Sequence, residues 1–381
     1  MKKTGVYLPG LNGFRAIAAI GVVIAHIILA LGDFGLNDKI FGVDKFGKAV
    51  GPRFAGLGVT VFFTLSGFLI TYLLLKEKEL RPLNIKQFYI RRILRIWPLY
   101  YLYLFVTLAT LSFFAIDYDR SSVSFYVFLA ANVPFIFSKT IPLLIHYWSL
   151  GVEEQFYLFF PHIAKLSDKK LFKVVIVLMA FLIVAKVIGW IALNKLGIAE
   201  PLTIVSVCRF HTMLLGVTGA ILYFNNSKWF MKLTTNLGTQ VVCWSSFLLV
   251  LLNKFHIASA IDGEMVSIIT VCLIIGQVTG KNKIISLENR IFDFLGKISY
   301  GIYIIHPLVI FYASKVIGKY PSPSLMKYIT VFGFVLSITI LLAYISFEYY
   351  EKWFLKLKDK YSVINGISNK VAAEDRTLRP V

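Results

Sequence analysis

The chain has 381 residues, of which 57% are hydrophobic, 15% aromatic and only 16% charged, and its mean hydropathy is +0.73. That composition excludes a soluble globular domain and indicates a polytopic membrane protein. The net charge of +20 would suit nucleic acid, but the basic residues fall in short clusters between apolar runs rather than on one face, which makes the charge topological and excludes a nucleic-acid partner.

Apolar stretches predict ten membrane spans near residues 11–31, 57–75, 93–115, 146–164, 174–193, 204–224, 236–253, 264–280, 296–314 and 328–347. The first is expected to remain as a signal anchor, because the polar start over residues 1–10 lacks the pattern of a cleavable leader. Residues 123–145, with Asn132 and Pro134 inside FYVFLAANVPFIF, look too short and broken to cross and read as a re-entrant or interfacial piece. With the amino terminus inside, cytoplasmic segments hold 26 Lys and Arg against 11 on the outer connections. An extra crossing at 123–145 would invert every later loop, so the count favours ten spans with both termini cytoplasmic. The expected organisation is an all-α membrane protein, with a membrane domain over residues 1–351 and a short, mixed cytoplasmic tail over 352–381. Outside, the connection at 32–56 carries Asp33, Asp38, Lys39, Asp44, Lys45, Lys48 and Arg53 and reads mainly as a solvated loop.

Within the first span lie Arg15 and His26, eleven residues apart, so both point the same way about 16 Å apart along the axis. Ionisable groups in hydrocarbon are costly unless they face a polar interior, which makes this face chemically active. The plainer alternatives are an interfacial anchor for Arg15 and a hydrogen-bonded core imidazole for His26. In the second span Gly56, Gly58, Ser66 and Gly67 suit close helix packing, and Ser66 lies in no nucleophile elbow.

Entering the third span, Arg91, Arg92 and Arg95 suit either anionic lipid headgroups or a phosphate clamp, with Arg91 and Arg95 on one face. The fourth span, HYWSLGVEEQFYLFFP, carries Glu153 and Glu154, which cannot share a helical face; a functional carboxylate or an ion pair to Arg15 or Arg209 is expected. His146 and His162 flank this span and read as interfacial. Arg209, beside His211, is expected to pair with a carboxylate or an anionic ligand. In the ninth span Ser299, Tyr300 and His306 stand together, and His306, just before Pro307, suits support of a proline kink. Cys208, Cys243 and Cys272 lie in apolar runs without ligand spacing, and no His-Glu-x-x-His pattern occurs, so neither a disulfide framework nor a metal is expected.

Five stretches in order resemble the acyltransferase-3 family of integral membrane proteins: LNGFR with His26, FFTLSGFL over 62–69, RRILRIWP over 91–98, WSLGVEEQFY over 148–157 and SYGIYIIHP over 299–307. The resemblance implies transfer of an acyl group, most simply acetyl, from cytoplasmic acyl-coenzyme A to a hydroxyl of a cell-surface polysaccharide or lipid-linked sugar. The setting it implies is a bacterial cytoplasmic membrane. It associates Arg15, His26 and Glu153 with activity and Arg92 and Arg95 with the coenzyme A phosphates; Arg91 and Arg15 are expected to join in binding the donor, and Ser66, Trp148, Glu154, Arg209, Tyr300 and His306 to give substrate or structural support. Many such relatives carry a soluble hydrolase-like domain after the membrane part. A member without it is expected here, its acceptor being lipid-linked or delivered by another protein. The residues allow His26 to act as general base, oriented by Glu153, or to carry the acyl group covalently. The rival expectations are a transporter or flippase without acyl-coenzyme A turnover, an acyltransferase using a small-molecule acceptor or a donor such as succinyl-coenzyme A, and an inactive scaffold.

Overall fold

Gly10, in the left-handed region at φ 75°, turns the chain into the first helix of this computed structural model, which describes residues 4–40, 42, 43, 47, 49–252, 254, 261–318, 324–362 and 364–367. Helix α1 spans Leu11–Leu29, α2 Arg53–Leu80 and α3 Ile85–Phe113, the last capped by Asn84, whose side chain accepts from the Gln87 amide. Two five-residue helices follow, α4 Val123–Val127 and α5 Asn132–Ile136. Next come α6 Tyr147–Ile163, α7 Asp168–Leu196, α8 Glu200–Cys208 and α9 Phe210–Phe224. After α10 Lys228–Thr234 and α11 Leu237–Leu251 run α12 Asp262–Thr279, α13 Arg290–Lys297 and α14 Ser299–Ile317. Helix α15, Ser324–Ser346, continues through a π turn, Phe347–Glu351, into α16, Lys352–Asp359. A four-residue strand β1, Thr4–Tyr7, pairs in parallel with β2, Ile364–Ile367.

This is an all-α membrane protein, and every expected span falls on helix, the sixth being divided at Arg209 between α8 and α9. Among the described residues eight helices are long and apolar enough to cross a bilayer. The expected fourth and seventh spans, α6 and α11, are shorter, with 17 and 15 residues. The segment 123–145 breaks into α4 and α5, whose inner side is bonded to protein while Phe128 and Phe137 are exposed: the Tyr100 hydroxyl donates to the Tyr126 carbonyl, and Asn132 exchanges two hydrogen bonds with Gln155. Backbone that is not helical survives at membrane depth only when satisfied in this way. Pairing of β1 with β2 places both ends of the described chain on one side. Exposed Phe181, Val184 and Ile188 on α7 and Ile329, Leu341 and Ile345 on α15 give those helices a lipid-facing surface.

One part of the sequence reading changes. Residues 352–362 do not form a loose tail: α16 packs on α3, and Ser362 donates to the Lys358 carbonyl at 3.3 Å. The outer-loop residues Asp44, Lys45 and Lys48, and the tail beyond 367, lie outside the described residues.

Small residues do bring helices together, though not all four. A side chain on Gly67 would overlap the Met213 carbonyl, one on Gly216 would overlap the Thr64 carbonyl, and one on Gly58 would stand 2.8 Å from the Ala18 carbonyl oxygen. Gly56 has open space beside it. Between helices in lipid, where burial of apolar surface supplies no drive, such close approach carries much of the association. Gly67→Ala is therefore expected to cost about 1–3 kcal/mol, because backbone must move. A fall in the thermal unfolding midpoint in detergent would register it, with Gly56→Ala unchanged; equal midpoints for both variants would contradict the packing account.

Candidate active site

Between α1, α2, α3, α6 and α14 lies a cavity of about 470 Å³ that reaches the side holding both termini. Its mouth is rimmed by residues of β1, the ends of α2 and α13, the start of α3 and the C-terminal helix α16. All these segments belong to the side that the charge count assigns to the cytoplasm. Inward it runs past Arg15, Ser66 and Glu153 to Phe62, Phe63, Ser149 and Tyr303.

Cations dominate the wall. Arg15, Arg92, Arg95, Lys297 and Lys358 all line the cavity, and among the described residues none lies within ion-pair distance of a carboxylate. Arg92 lies 4.2 Å from the Tyr157 ring centroid and 5.8 Å from that of Phe88, aromatic stacking that fixes a guanidinium without neutralising it. Arg91 differs: it donates to Glu77 at 2.7 Å and to the Tyr361 carbonyl at 2.9 Å, while Arg81 holds the other Glu77 oxygen at 2.9 Å. Adjacent arginines that the sequence grouped therefore separate, Arg91 into an ion-paired rim and Arg92 with Arg95 into the cavity wall. Tyr300 joins the wall and donates to the Ile96 carbonyl at 2.7 Å, beside Pro98 in α3.

The paired glutamates divide as helical geometry requires. Glu153 faces the cavity, accepting from Ser66 Oγ at 2.8 Å and from the Tyr157 hydroxyl at 3.4 Å. Glu154 turns to α3, where Trp97 Nε1 stands 3.4 Å from one oxygen and the other has no partner among the described residues. Neither forms an ion pair with Arg15 or Arg209 among the described residues.

Orientation of His26 falls to another residue than Glu153. His26 Nδ1 lies 2.7 Å from His306 Nε2, with the rings near-parallel at 4.9 Å between centroids. His306 Nδ1 lies 3.2 Å from the Ile302 carbonyl, which can only accept. The His306 proton therefore sits on Nδ1, its Nε2 accepts, and His26 must donate from Nδ1. That leaves the His26 Nε2 lone pair free. The carbonyl bound here is that of Ile302, not the Tyr303 carbonyl that Pro307 leaves without its helical donor, and the same ring sets the tautomer of His26.

His146 completes the cluster. Expected at an interface, it is instead 3% exposed, its ring 5.4 Å from His306, and its Nε2 unpartnered among the described residues. The Tyr303 hydroxyl meets the His146 carbonyl at 2.9 Å and Ser149 Oγ at 2.6 Å. Tyr303, packed edge-on to Phe62 at 5.9 Å, thus forms the layer between the cavity and the histidines.

Arg209 takes no carboxylate within ion-pair distance among the described residues. Held in the left-handed region at φ 45° between α8 and α9, it donates to Thr60 Oγ1 at 3.2 Å and lies 5.5 Å from the Trp148 ring, which itself stacks on Phe135. The buried carboxylate nearby is Glu264, bound by Lys186 at 2.8 Å and His211 at 3.1 Å. The sequence reading set Glu264 at a span border; buried Lys186 was the available signal that it needed a partner. Among the described residues no group of three metal-ligating side chains could hold an ion.

A family model described as an acyltransferase domain matches residues 8–348. The chain is 30% identical over 374 residues to the protein named "Putative O-acetyltransferase SACOL0978" of Staphylococcus aureus (strain COL), covering 92% of this chain and 58% of that one. A protein of strain MSSA476 with a like name matches to the same extent. Over 166 residues, 41% of this chain and 24% of the relative, it is 35% identical to the O-acetyltransferase OatA of Staphylococcus aureus (strain NCTC 8325 / PS 47). The chain therefore spans a little over half the length of the first of these relatives. No solved structure matches it.

Proposed function

The chain belongs to the acyltransferase-3 family, and on that premise we propose that it is a membrane O-acyltransferase that takes an acetyl group from cytoplasmic acetyl-coenzyme A and transfers it to a saccharide hydroxyl. The observation that carries the reading is the pairing of a cation-walled cavity with a histidine whose free nitrogen is defined by its neighbours. Coenzyme A brings a pyrophosphate and a ribose phosphate, the latter of about −1.5 to −2 charge at neutral pH. Arg92 and Arg95 suit those oxygens, since guanidinium forks bind phosphate bidentately and neither is neutralised by a carboxylate within ion-pair distance among the described residues. Glu153, held by Ser66 and Tyr157, and Arg15 share the cavity with them.

The thioester end runs inward toward Ser149 and Tyr303. Once the Phe62 and Tyr303 layer lets the thioester pass to the histidines behind it, His26 Nε2 takes the proton of the acceptor hydroxyl as the oxygen attacks the thioester carbonyl. The carbon–sulfur bond then breaks, and the coenzyme A sulfur leaves as the thiol with the proton that His26 returns. His306 keeps Nδ1 of His26 occupied throughout, the service that a carboxylate performs in a hydrolase triad.

The test is acetyl-coenzyme A binding and acceptor-dependent release of coenzyme A by the purified protein in vesicles. Arg92→Ala and Arg95→Ala are each expected to weaken binding about tenfold or more, the worth of a charge-assisted hydrogen bond. Wild-type protein that binds no acetyl-coenzyme A would refute the donor assignment and turn attention to transport.

A further inference from the structure

The C-terminal helix carries a feature that the five sequence stretches do not contain. Leu355 and Lys358 stand one turn apart on α16 and Ser362 lies just past its end, and all three line the cavity. The other lysines of this helix are placed differently. Lys352 pairs with Glu348 one turn back, and Lys356 is exposed and does not line the cavity. A helix that merely anchored to lipid headgroups would have no reason to direct one lysine inward and leave its neighbours outside.

Lys358 is half-buried and has no ion-pair partner among the described residues. The charges that act on it are those of Arg95, Arg92 and Arg91 on α3 and of its chain neighbour Asp359. Arg92 and Arg95, which like Lys358 have no carboxylate within ion-pair distance among the described residues, line the same cavity, so a multiply charged anion entering it would meet all three cations. Helix α16 is held there by packing on α3, by the Tyr350 hydroxyl on the Pro98 carbonyl at 3.2 Å, and by the Arg91 bond to the Tyr361 carbonyl. Past the helix, β2 pairs with β1, so the end of the described chain is tied to its beginning at the cavity mouth.

We infer that Lys358 is a donor-binding residue that takes the ribose 3′-phosphate of coenzyme A, making α16 a wall of the donor site rather than a tail. This rests on the coenzyme A reading above. Within that reading the assignment follows from position: Arg92, Arg95 and Arg15 line the inner passage, Lys358 lies with Ser362 at the mouth, and the ribose phosphate is at the end of the molecule farthest from the thioester. A compact, mobile ammonium suits a terminal phosphate monoester as a point charge, whereas the planar forks suit the pyrophosphate.

The test compares binding of coenzyme A and of 3′-dephospho-coenzyme A to the full chain in detergent. Lys358→Ala is expected to weaken coenzyme A binding about tenfold or more and to leave dephospho-coenzyme A binding at the wild-type value, so that the variant no longer distinguishes the two. Lys358→Arg should restore most of the preference, and Lys356→Ala should bind as wild type, which separates loss of the contact from damage to the helix. If Lys358→Ala binds coenzyme A like the wild type, or weakens both ligands equally, the assignment is wrong. Wild-type protein that binds neither ligand would instead overturn the donor reading itself, an outcome distinguishable from the other two.

Discussion

On the proposed reaction, His26→Ala is expected to lower kcat for acetyl transfer by about 10²–10⁴-fold, the usual contribution of a positioned general base, and to leave acetyl-coenzyme A binding close to wild type. The two halves of this expectation have separate origins. Under the proposal catalysis falls because an acceptor hydroxyl is a poor nucleophile unless its proton is removed as it attacks, and the nitrogen that the cluster leaves unprotonated on His26 is Nε2. Binding persists because His26 lies beyond the Phe62 and Tyr303 layer and is not part of the cavity wall that would hold the nucleotide. Initial rates of acceptor acetylation beside equilibrium binding measure both. Undiminished turnover in His26→Ala would eliminate the base role, and a parallel loss of binding would mean that the histidine supports the cavity instead.

The second large effect belongs to His306, a positioning residue. Leucine at this position fills similar space without an acceptor, so His26 Nδ1 loses the bond that fixes its tautomer and ring plane. His306→Leu is expected to reduce kcat by roughly 10²-fold or more with KM for acetyl-coenzyme A little changed, by analogy with loss of the orienting group in a triad. His306→Gln can place a carbonyl oxygen near the lost Nε2 and should recover part of kcat. This split and rescue distinguish positioning from structure, since a merely destabilised protein would lose active fraction in both variants alike. Equal kcat for His306→Leu and wild type would show that the tautomer needs no partner.

Much of the molecule was legible before folding was considered. The apolar runs fall on helices, eight of them among the described residues long and apolar enough to cross, because crossing hydrocarbon is a demand on each segment by itself, met by about twenty apolar residues in a row. The broken segment at 123–145 could be set aside for the same reason. Arg15, Glu153 and Arg95 stood out because an ionisable residue in such a run needs an explanation wherever its partners are. The division of Glu153 from Glu154 followed from helical geometry alone, although which of them faced the cavity did not.

What the sequence by itself determined is thus the set of membrane helices, their alternation and the charged residues that must face inward, each a consequence of one segment meeting lipid. Only the tertiary structure decided which of those residues meet. The bond from His26 to His306 joins positions 280 residues apart, and no local spacing indicates it. His146 looked interfacial because it sits at the start of its helix, yet packing of α6 against α14 buries it beside His306. Arg91 and Arg92, neighbours in the chain, take opposite roles because Glu77 on α2 reaches only one of them. Lys358, unremarkable in a mixed basic stretch, enters the cavity because α16 folds back on α3. Partner choice of this kind depends on close approach between helices, and that is set by where glycine and bulky side chains meet across the whole bundle.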